Sequence, residues 1–291
     1  MGNPIKKLAS QTAIYGLSSI IGRVVNYFLL TPLYTDKNIF STDQFGVVTN
    51  TYAWVAVSII FFTYGMETGY FRFANKQSEQ KESVYSTSLI SVLSTALLFV
   101  GLILIFSVEI AQGIGYPDHA EYIKYLGIII GMDALVSIPF AKLRLDDKPL
   151  RFATVRLTNI IVNIGLNLFF YVFCPWYIKT YNYESLNSII NLVYDPNVGV
   201  GYVFIANLIA SLVTLILLAP QVIVHTWKFN FKIWKSLIKY CWPLLIVGLA
   251  GALNQHFDKL IIKYLVPSDL GDRETGIYGA IYKLSIFITL F

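Results

Sequence analysis

The stretch YSTSLISVLSTALLFVGLILIFSV, Tyr85–Val108, holds no charged side chain over its 24 residues, and it decides the class of fold. At 1.5 Å rise per residue a helix of that length reaches about 36 Å, enough to cross a hydrocarbon core roughly 30 Å thick. The same reading extends to both sides. Ala13–Leu33, Phe45–Gly65, Tyr122–Leu143, Phe152–Phe173, Val200–Val224 and Tyr240–Val266 are each long and apolar enough to span, which makes seven segments. An eighth begins near Ile277 and is still apolar at Phe291. Hydrophobic residues make up 56% and charged residues 13% of the chain, against about 45–50% and about 25% in soluble domains. The expectation is an all-α polytopic membrane protein.

The connections between segments alternate in charge. Lys6 and Lys7 precede the first, and Arg72, Lys76 and Lys81 lie between the second and third. Lys142, Arg144, Lys148 and Arg151 lie between the fourth and fifth, and Lys228, Lys232, Lys235 and Lys239 between the sixth and seventh. The intervening connections hold Lys37, Lys179, Lys259, Lys263 and Arg273, so thirteen basic residues face five. The positive-inside rule then places the N-terminus and the even-numbered connections in the cytoplasm. This accounts for the net charge of +5 and argues against nucleic acid as a partner. The first segment carries Arg23 in its middle and lacks a small-residue cleavage site, so it does not read as a signal peptide. Cys174 and Cys241 fall near opposite faces and are not expected to pair.

Short connections leave no room for a soluble catalytic domain. The expected organisation is a six-helix lobe over 1–226, an amphipathic linker over 227–239, and the start of a second lobe over 240–291. The linker interleaves Trp227, Phe229, Phe231 and Trp234 with Lys228, Lys232 and Lys235. That composition suits the membrane interface, rings at headgroup depth and lysines toward anionic lipid. An offset of 230 residues sets Gly46 on Gly276 and Tyr52 on Tyr282, a faint parallel repeat across the linker.

Charges at mid-bilayer cost about 2.5–3.5 kcal/mol on insertion scales, so they face protein or water. Arg23 and Asp133 both fall near mid-depth, where they are candidate partners, as a register-fixing pair or in a functional cavity. Tyr15, Ser19, Arg23 and Asn26 form one stripe on the first helix, and Arg156, Asn159, Asn163 and Asn167 another on the fifth. Such stripes line a wet interior, although Asn also glues membrane helices together. Arg23, Asn26, Asp133, Arg156, Asn159 and Asn163 are therefore the candidate cavity residues. Glu67, His256 and Asp258 are candidates for ion coupling or gating, whereas Lys259 and Lys263 read as snorkelling interfacial lysines. Gly127 with Gly131, and Gly248 with Ala252, permit close helix approach. Pro139, Pro220 and Pro243 each remove a helical hydrogen bond.

Sequence motifs for catalysis are absent: there is no Walker A run, no HExxH or CxxC, and no GxSxG. No cofactor, metal or enzymatic activity is expected. Asp146-Asp147 sits among Lys142, Arg144, Lys148 and Arg151 and reads as a charged turn.

Several runs resemble the polysaccharide flippases of the multidrug/oligosaccharidyl-lipid/polysaccharide exporter superfamily. They are Ile20-Ile21-Gly22-Arg23, Leu30-Thr31-Pro32-Leu33-Tyr34-Thr35, Asp43-Gln44-Phe45-Gly46 and Thr63-Tyr64-Gly65-Met66-Glu67-Thr68. Leu143–Phe152, Pro243, Asp258-Lys259 and Thr275-Gly276-Ile277-Tyr278 are similar again. The resemblance implies two six-helix lobes around a central cavity, of which this chain, as a truncated form, supplies the first and the beginning of the second. It implies translocation of oligosaccharide linked to undecaprenyl pyrophosphate across the bacterial cytoplasmic membrane, with a polysaccharide polymerase and glycosyltransferases as partners. Arg23 matches a cavity arginine of related lipid flippases, while Asp133 departs from the pattern. Two alternatives stand beside this: a cation-coupled multidrug antiporter of the same superfamily, and, more remotely, an integral-membrane glycosyltransferase or acyltransferase.

Overall fold

The computed structural model describes residues 13–16, 18, 20–22, 24–76, 80–180, 190, 192–223, 227–267 and 269–288. Every regular element among them is helical. A π-helical turn, Asn26–Leu30, leads into α1 (Thr31–Thr35). There follow α2 (Thr42–Thr63), α3 (Met66–Lys76), α4 (Lys81–Ile105), α5 (Ser107–Gly113) and α6 (Ala120–Leu145). Then come α7 (Pro149–Leu168), a π turn at Phe169–Phe173, α8 (Cys174–Thr180), α9 (Gly201–Leu217), α10 (Ala219–Val222), α11 (Phe231–Leu265) and α12 (Gly271–Ile288). Five stretches are long and apolar enough to cross a membrane: Thr42–Lys76, Lys81–Ile105, Ala120–Leu145, Pro149–Thr180 and Phe231–Leu265. The protein is an all-α polytopic membrane protein. In hydrocarbon a helix satisfies its own backbone groups, which is why the apolar runs take this form.

Local chemistry sets the helix ends. Ser41 and Gln44 form a reciprocal capping box at the start of α2. Tyr64 (φ 35°) and Gly65 (φ 72°) make the left-handed turn between α2 and α3. At Gly65 an added Cβ would lie 2.9 Å from the Leu244 Cβ. Asn230 caps α11, its side chain accepting from the Lys232 and Ile233 amides. Pro220, at the start of α10, comes just after the turn at Leu218 that ends α9, so the sixth apolar run becomes one 17-residue helix and a short extra turn.

The aromatic and lysine-rich run at 227–239 differs from its expected form as a separate linker. From Phe231 it continues without a break through Pro243 as the 35-residue α11. Pro243 removes the bond to the Lys239 carbonyl, and the helix nonetheless continues on both sides of it. Ile233, Leu237 and Cys241, spaced four apart, bury themselves against Tyr70, Val84, Tyr85 and Leu89. Lys228, Lys232, Lys235 and Lys239 remain exposed.

Two close crossings fix how the long helices sit against one another. Gly127 and Gly131 let α6 lie on α4, where Cβ atoms would come 2.6 and 2.4 Å from Ile103 and Val100. The tighter crossing joins α2 to α12. A Cβ on Gly46 would lie 1.7 Å from the Asp272 carbonyl oxygen, and one on Gly276 would lie 2.2 Å from that of Thr42. Thr42 and Asp272 are themselves 230 residues apart, as Gly46 and Gly276 are, so the two contacts are reciprocal, as at a two-fold axis. Gly279 meets Thr49, its partner under the same offset, with a Cβ-to-Oγ1 approach of 2.6 Å.

Gly46→Ala is accordingly expected to destabilise by about 1–3 kcal/mol, the usual cost of overpacking, because the atom in its way is backbone. Gly101→Ala, with open space around the new Cβ, is expected to leave stability unchanged or slightly raised. Thermal unfolding midpoints of the two purified variants check this; equal midpoints would show that the crossing is loose.

Candidate functional site

A cavity of about 420 Å³ lies where α2, α7 and α9 face α11 and α12. Its apolar wall is Leu30, Phe45, Val48, Ile160, Ile164 and Val203. Its polar groups are Thr49, Tyr52, Asn159, Asn163, Asn207, Gln255, His256, Lys259, Tyr282 and Lys283, with Tyr34 at the edge. Among the described residues no carboxylate lines it.

The asparagine stripe of α7 does two jobs. Asn159 and Asn163 reach the cavity, and each also bonds a neighbouring helix. Asn159 Nδ2 donates to Thr214 Oγ1 at 2.9 Å, and Asn163 Nδ2 donates to Asn207 Oδ1 at 3.4 Å. Asn167, fully buried, accepts from the Tyr34 hydroxyl at 2.7 Å and donates back to Asn163. Asn207 Nδ2 donates to the Tyr52 hydroxyl at 2.9 Å. Tyr52 and Tyr282, matched by the offset of 230, line the one cavity together.

Lys283 is the functional candidate that sequence reading missed. Its ammonium lies 4.8 Å from the Phe45 ring centre and 5.5 Å from that of Tyr34, with no carboxylate partner among the described residues. An aromatic face offers a cation partial compensation and leaves it available to a ligand. The signal was present: a lysine inside the apolar eighth segment, one residue after Tyr282. Lys259 also departs from expectation. It is 6% exposed rather than snorkelling, sits 3.3 Å from the Tyr282 ring centre, and donates to the Gln255 carbonyl at 3.1 Å. Burial by α12 explains the difference, since the free helix face seen in sequence is covered by the next helix along the chain. His256 lines the cavity; Asp258 does not, its carboxylate accepting instead from the Tyr278 hydroxyl and the Lys259 amide.

Other expected residues do not line this cavity, although Asp133 lies close enough to act electrostatically on Tyr52. Asp133 accepts from Ser211 Oγ at 2.8 Å and has Arg156 as its electrostatic partner. The Arg156 guanidinium stacks 4.4 Å from the Phe140 ring centre. Glu67 is ion-paired with Arg144, which lies over Phe71 and Phe152. Arg23 and the Asn26 side chain lie outside the described residues, so the expected partnership of Arg23 with Asp133 lies outside them too.

At the far end of α11, Lys263 ties the two groups of helices together. Its ammonium is 3.1 Å from Asp272 Oδ1, 3.2 Å from the Gly115 carbonyl, and 3.2 Å from the Tyr116 ring centre. The Tyr116 hydroxyl donates to Asp272 at 2.8 Å. Burial, and then the adjacent Asp272 carboxylate, hold that hydroxyl well above its ordinary pKa, so it stays a donor. Gly115 has φ +81°, and a Cβ there would also sit 3.1 Å from Lys263 Cε, so both backbone and space call for glycine.

Residues 38–182, α2 through α8 and about half of the chain, match the family model described as polysaccharide biosynthesis protein. The chain belongs to a polysaccharide flippase-type family. No curated protein and no solved structure matches it. The matched stretch supplies Phe45, Val48, Thr49, Tyr52, Asn159 and Asn163 to the cavity of this flippase-type protein. Lys259 and Lys283 come from beyond it.

The latch at Lys263 gives a measurable coupling. Tyr116→Phe and Asp272→Asn are each expected to destabilise, and together by about 1–2 kcal/mol less than the sum, since they share one charge-assisted bond. A double-mutant cycle on the unfolding free energies reads this, and strict additivity would dismantle the latch.

Proposed function

We propose that this protein translocates a lipid-linked oligosaccharide across the cytoplasmic membrane during polysaccharide biosynthesis, by alternating access. The observation that carries the reading is Lys283, an ammonium without a carboxylate partner among the described residues, set in a cavity between two groups of helices. A pyrophosphate cannot enter hydrocarbon unaided, and a cation held in a polar cavity lowers its desolvation cost. Asn159, Asn163 and Gln255 suit sugar hydroxyls, because amides donate and accept. Undecaprenyl pyrophosphate is the carrier that fits the resemblance, its tail staying in the bilayer while the headgroup crosses.

The excess of basic residues on the Arg72, Lys148 and Lys235 side supports a cytoplasmic position for those connections. The cavity near Lys283 then lies toward the outer half, and Arg144 and Arg156 toward the inner. On this topology Arg23 is expected near mid-depth on the first helix and Asn26 one turn further out, and an anionic headgroup would pass from guanidinium to ammonium. Lobes rocking about the Gly46–Gly276 crossing would expose the cavity to each side in turn. Asp133, held between Ser211 and Arg156, and Glu67 are the acidic groups available to couple this motion to an ion. The lipid tail, a polymerase and glycosyltransferases would meet the protein from the membrane.

The experiment is deletion of the gene in its own cell, followed by rescue with wild type, Lys283→Gln or Arg23→Ala. Lipid-linked oligosaccharide and surface polysaccharide are quantified together. The expected outcome is accumulated precursor and lost surface glycan, restored by wild type and restored less than one-tenth as well by Lys283→Gln. Normal glycan with new sensitivity to cationic drugs would replace the proposal with a multidrug exporter.

A further inference from the structure

We infer that Tyr52 is a ligand-contacting hydrogen-bond donor, aimed into the cavity by a one-way chain of side chains, and that its ligand is an oxyanion. The chain has a fixed direction. The Tyr34 hydroxyl donates to Asn167 Oδ1 at 2.7 Å. Asn167, its oxygen taken, donates through Nδ2 to Asn163 Oδ1 at 3.0 Å. Asn163 passes the direction on to Asn207 Oδ1, and Asn207 Nδ2 donates to the Tyr52 hydroxyl at 2.9 Å. Asn167 Nδ2 also donates to the Asn163 backbone carbonyl at 2.8 Å, a group that can only accept, so Asn167 cannot turn round and the links after it follow.

At Tyr52 an incoming N–H occupies a lone pair of the hydroxyl oxygen, and the hydroxyl proton must point elsewhere. It finds no acceptor among the described residues, and Tyr52 lines the cavity. The ring is held against Phe204 at 5.9 Å between centres, which limits where the hydroxyl can go. A donor left unmet in a confined site costs about 1–3 kcal/mol, and a ligand acceptor recovers it. Asp133 acts electrostatically on Tyr52, but it is bonded to Ser211 and does not line the cavity. Lys259, Lys283 and His256 do line it and no described lining residue is a carboxylate, so the acceptor that fits is negatively charged. The chain starts at Tyr34, whose ring is a neighbour of the Lys283 ammonium, and ends at Tyr52 in the wall of the same cavity.

Phosphoryl oxygen is the shared chemistry, from a lipid headgroup or from free phosphate, and assignment to a headgroup rests on the flippase reading above. The test uses the full chain in nanodiscs with three probes: inorganic pyrophosphate, farnesyl pyrophosphate, and farnesol as the uncharged control. Tyr52→Phe is expected to weaken both pyrophosphates about tenfold, leaving farnesol and the unfolding midpoint unchanged. Asn207→Leu keeps the hydroxyl but frees its direction; it is expected to weaken pyrophosphate several-fold alone and by nothing further in the Tyr52→Phe background. Farnesyl pyrophosphate bound more tightly than inorganic pyrophosphate assigns the site to a lipid headgroup, and equal affinities assign it to free phosphate. Unchanged affinity in Tyr52→Phe, additive losses, or no binding of either pyrophosphate to wild type would overturn the inference. The flippase reading would then still stand or fall on precursor accumulation alone.

Discussion

The architecture depends on backbone approaching backbone where α2 crosses α12. Helices in lipid gain nothing from hiding apolar side chains from one another, so their association rests on van der Waals contact and hydrogen bonds at short range. Gly46 and Gly276 remove the two Cβ atoms that would hold the axes apart, and each is aimed at a carbonyl of the opposite helix. Once these helices touch near one end, α12 has to lay Tyr282 and Lys283 beside Tyr52 and Phe45. The cavity is thus the space left just beyond the closest point of the crossing, and its cationic character comes from Lys283, two turns along α12, together with Lys259 and His256 on α11.

Many of the cations in this protein lie over aromatic rings. Arg72 lies over Tyr240, Arg156 over Phe140, Lys142 over Tyr85, Lys259 over Tyr282 and Lys263 over Tyr116. A carboxylate would neutralise a cation more fully, but a desolvated ion pair gains little net stability. The exceptions fall where a tight connection is useful. Lys263 with Asp272 bridges the Gly115–Tyr116 turn to the α11–α12 hairpin, and Arg144 with Glu67 joins α6 to α3. Several cations use both kinds of partner at once: Lys142 faces Tyr85 and Glu82, and Lys263 faces Tyr116 and Asp272.

Much of the fold was legible because hydrocarbon imposes a single demand, a long uncharged run, that Tyr85–Val108 meets in plain view. The glycines were legible as well: Gly127-x-x-x-Gly131 announced a close approach, and the offset of 230 brought Gly46 and Gly276 together on paper. The side-chain network was only half legible. Spacing places Asn159, Asn163 and Asn167 on one stripe, but their partners Thr214, Asn207 and Tyr34 lie 44 to 133 residues away, and nothing local selects them. Lys283 escaped notice for the opposite reason, since one lysine in an apolar run reads as noise until Phe45 and Tyr34 are seen beneath it. Lys259 was misjudged because exposure of a helix face depends on what covers it, and α12 covers this one.

The latch and the crossing lie on the same short piece of chain, and this constrains any movement between the helix groups. Asp272 presents its carbonyl to Gly46 and its carboxylate to Lys263 and Tyr116. A backbone contact tolerates rotation about itself, because Gly46 has no side chain to strike its neighbour. A salt bridge with a hydroxyl donor is directional and breaks under the same rotation. One residue thus anchors both contacts, Asp272 through its backbone to Gly46 and through its side chain to Lys263 and Tyr116, so the packing of α2 on α12 and the ion pair of α11 with α12 are fixed at a single point.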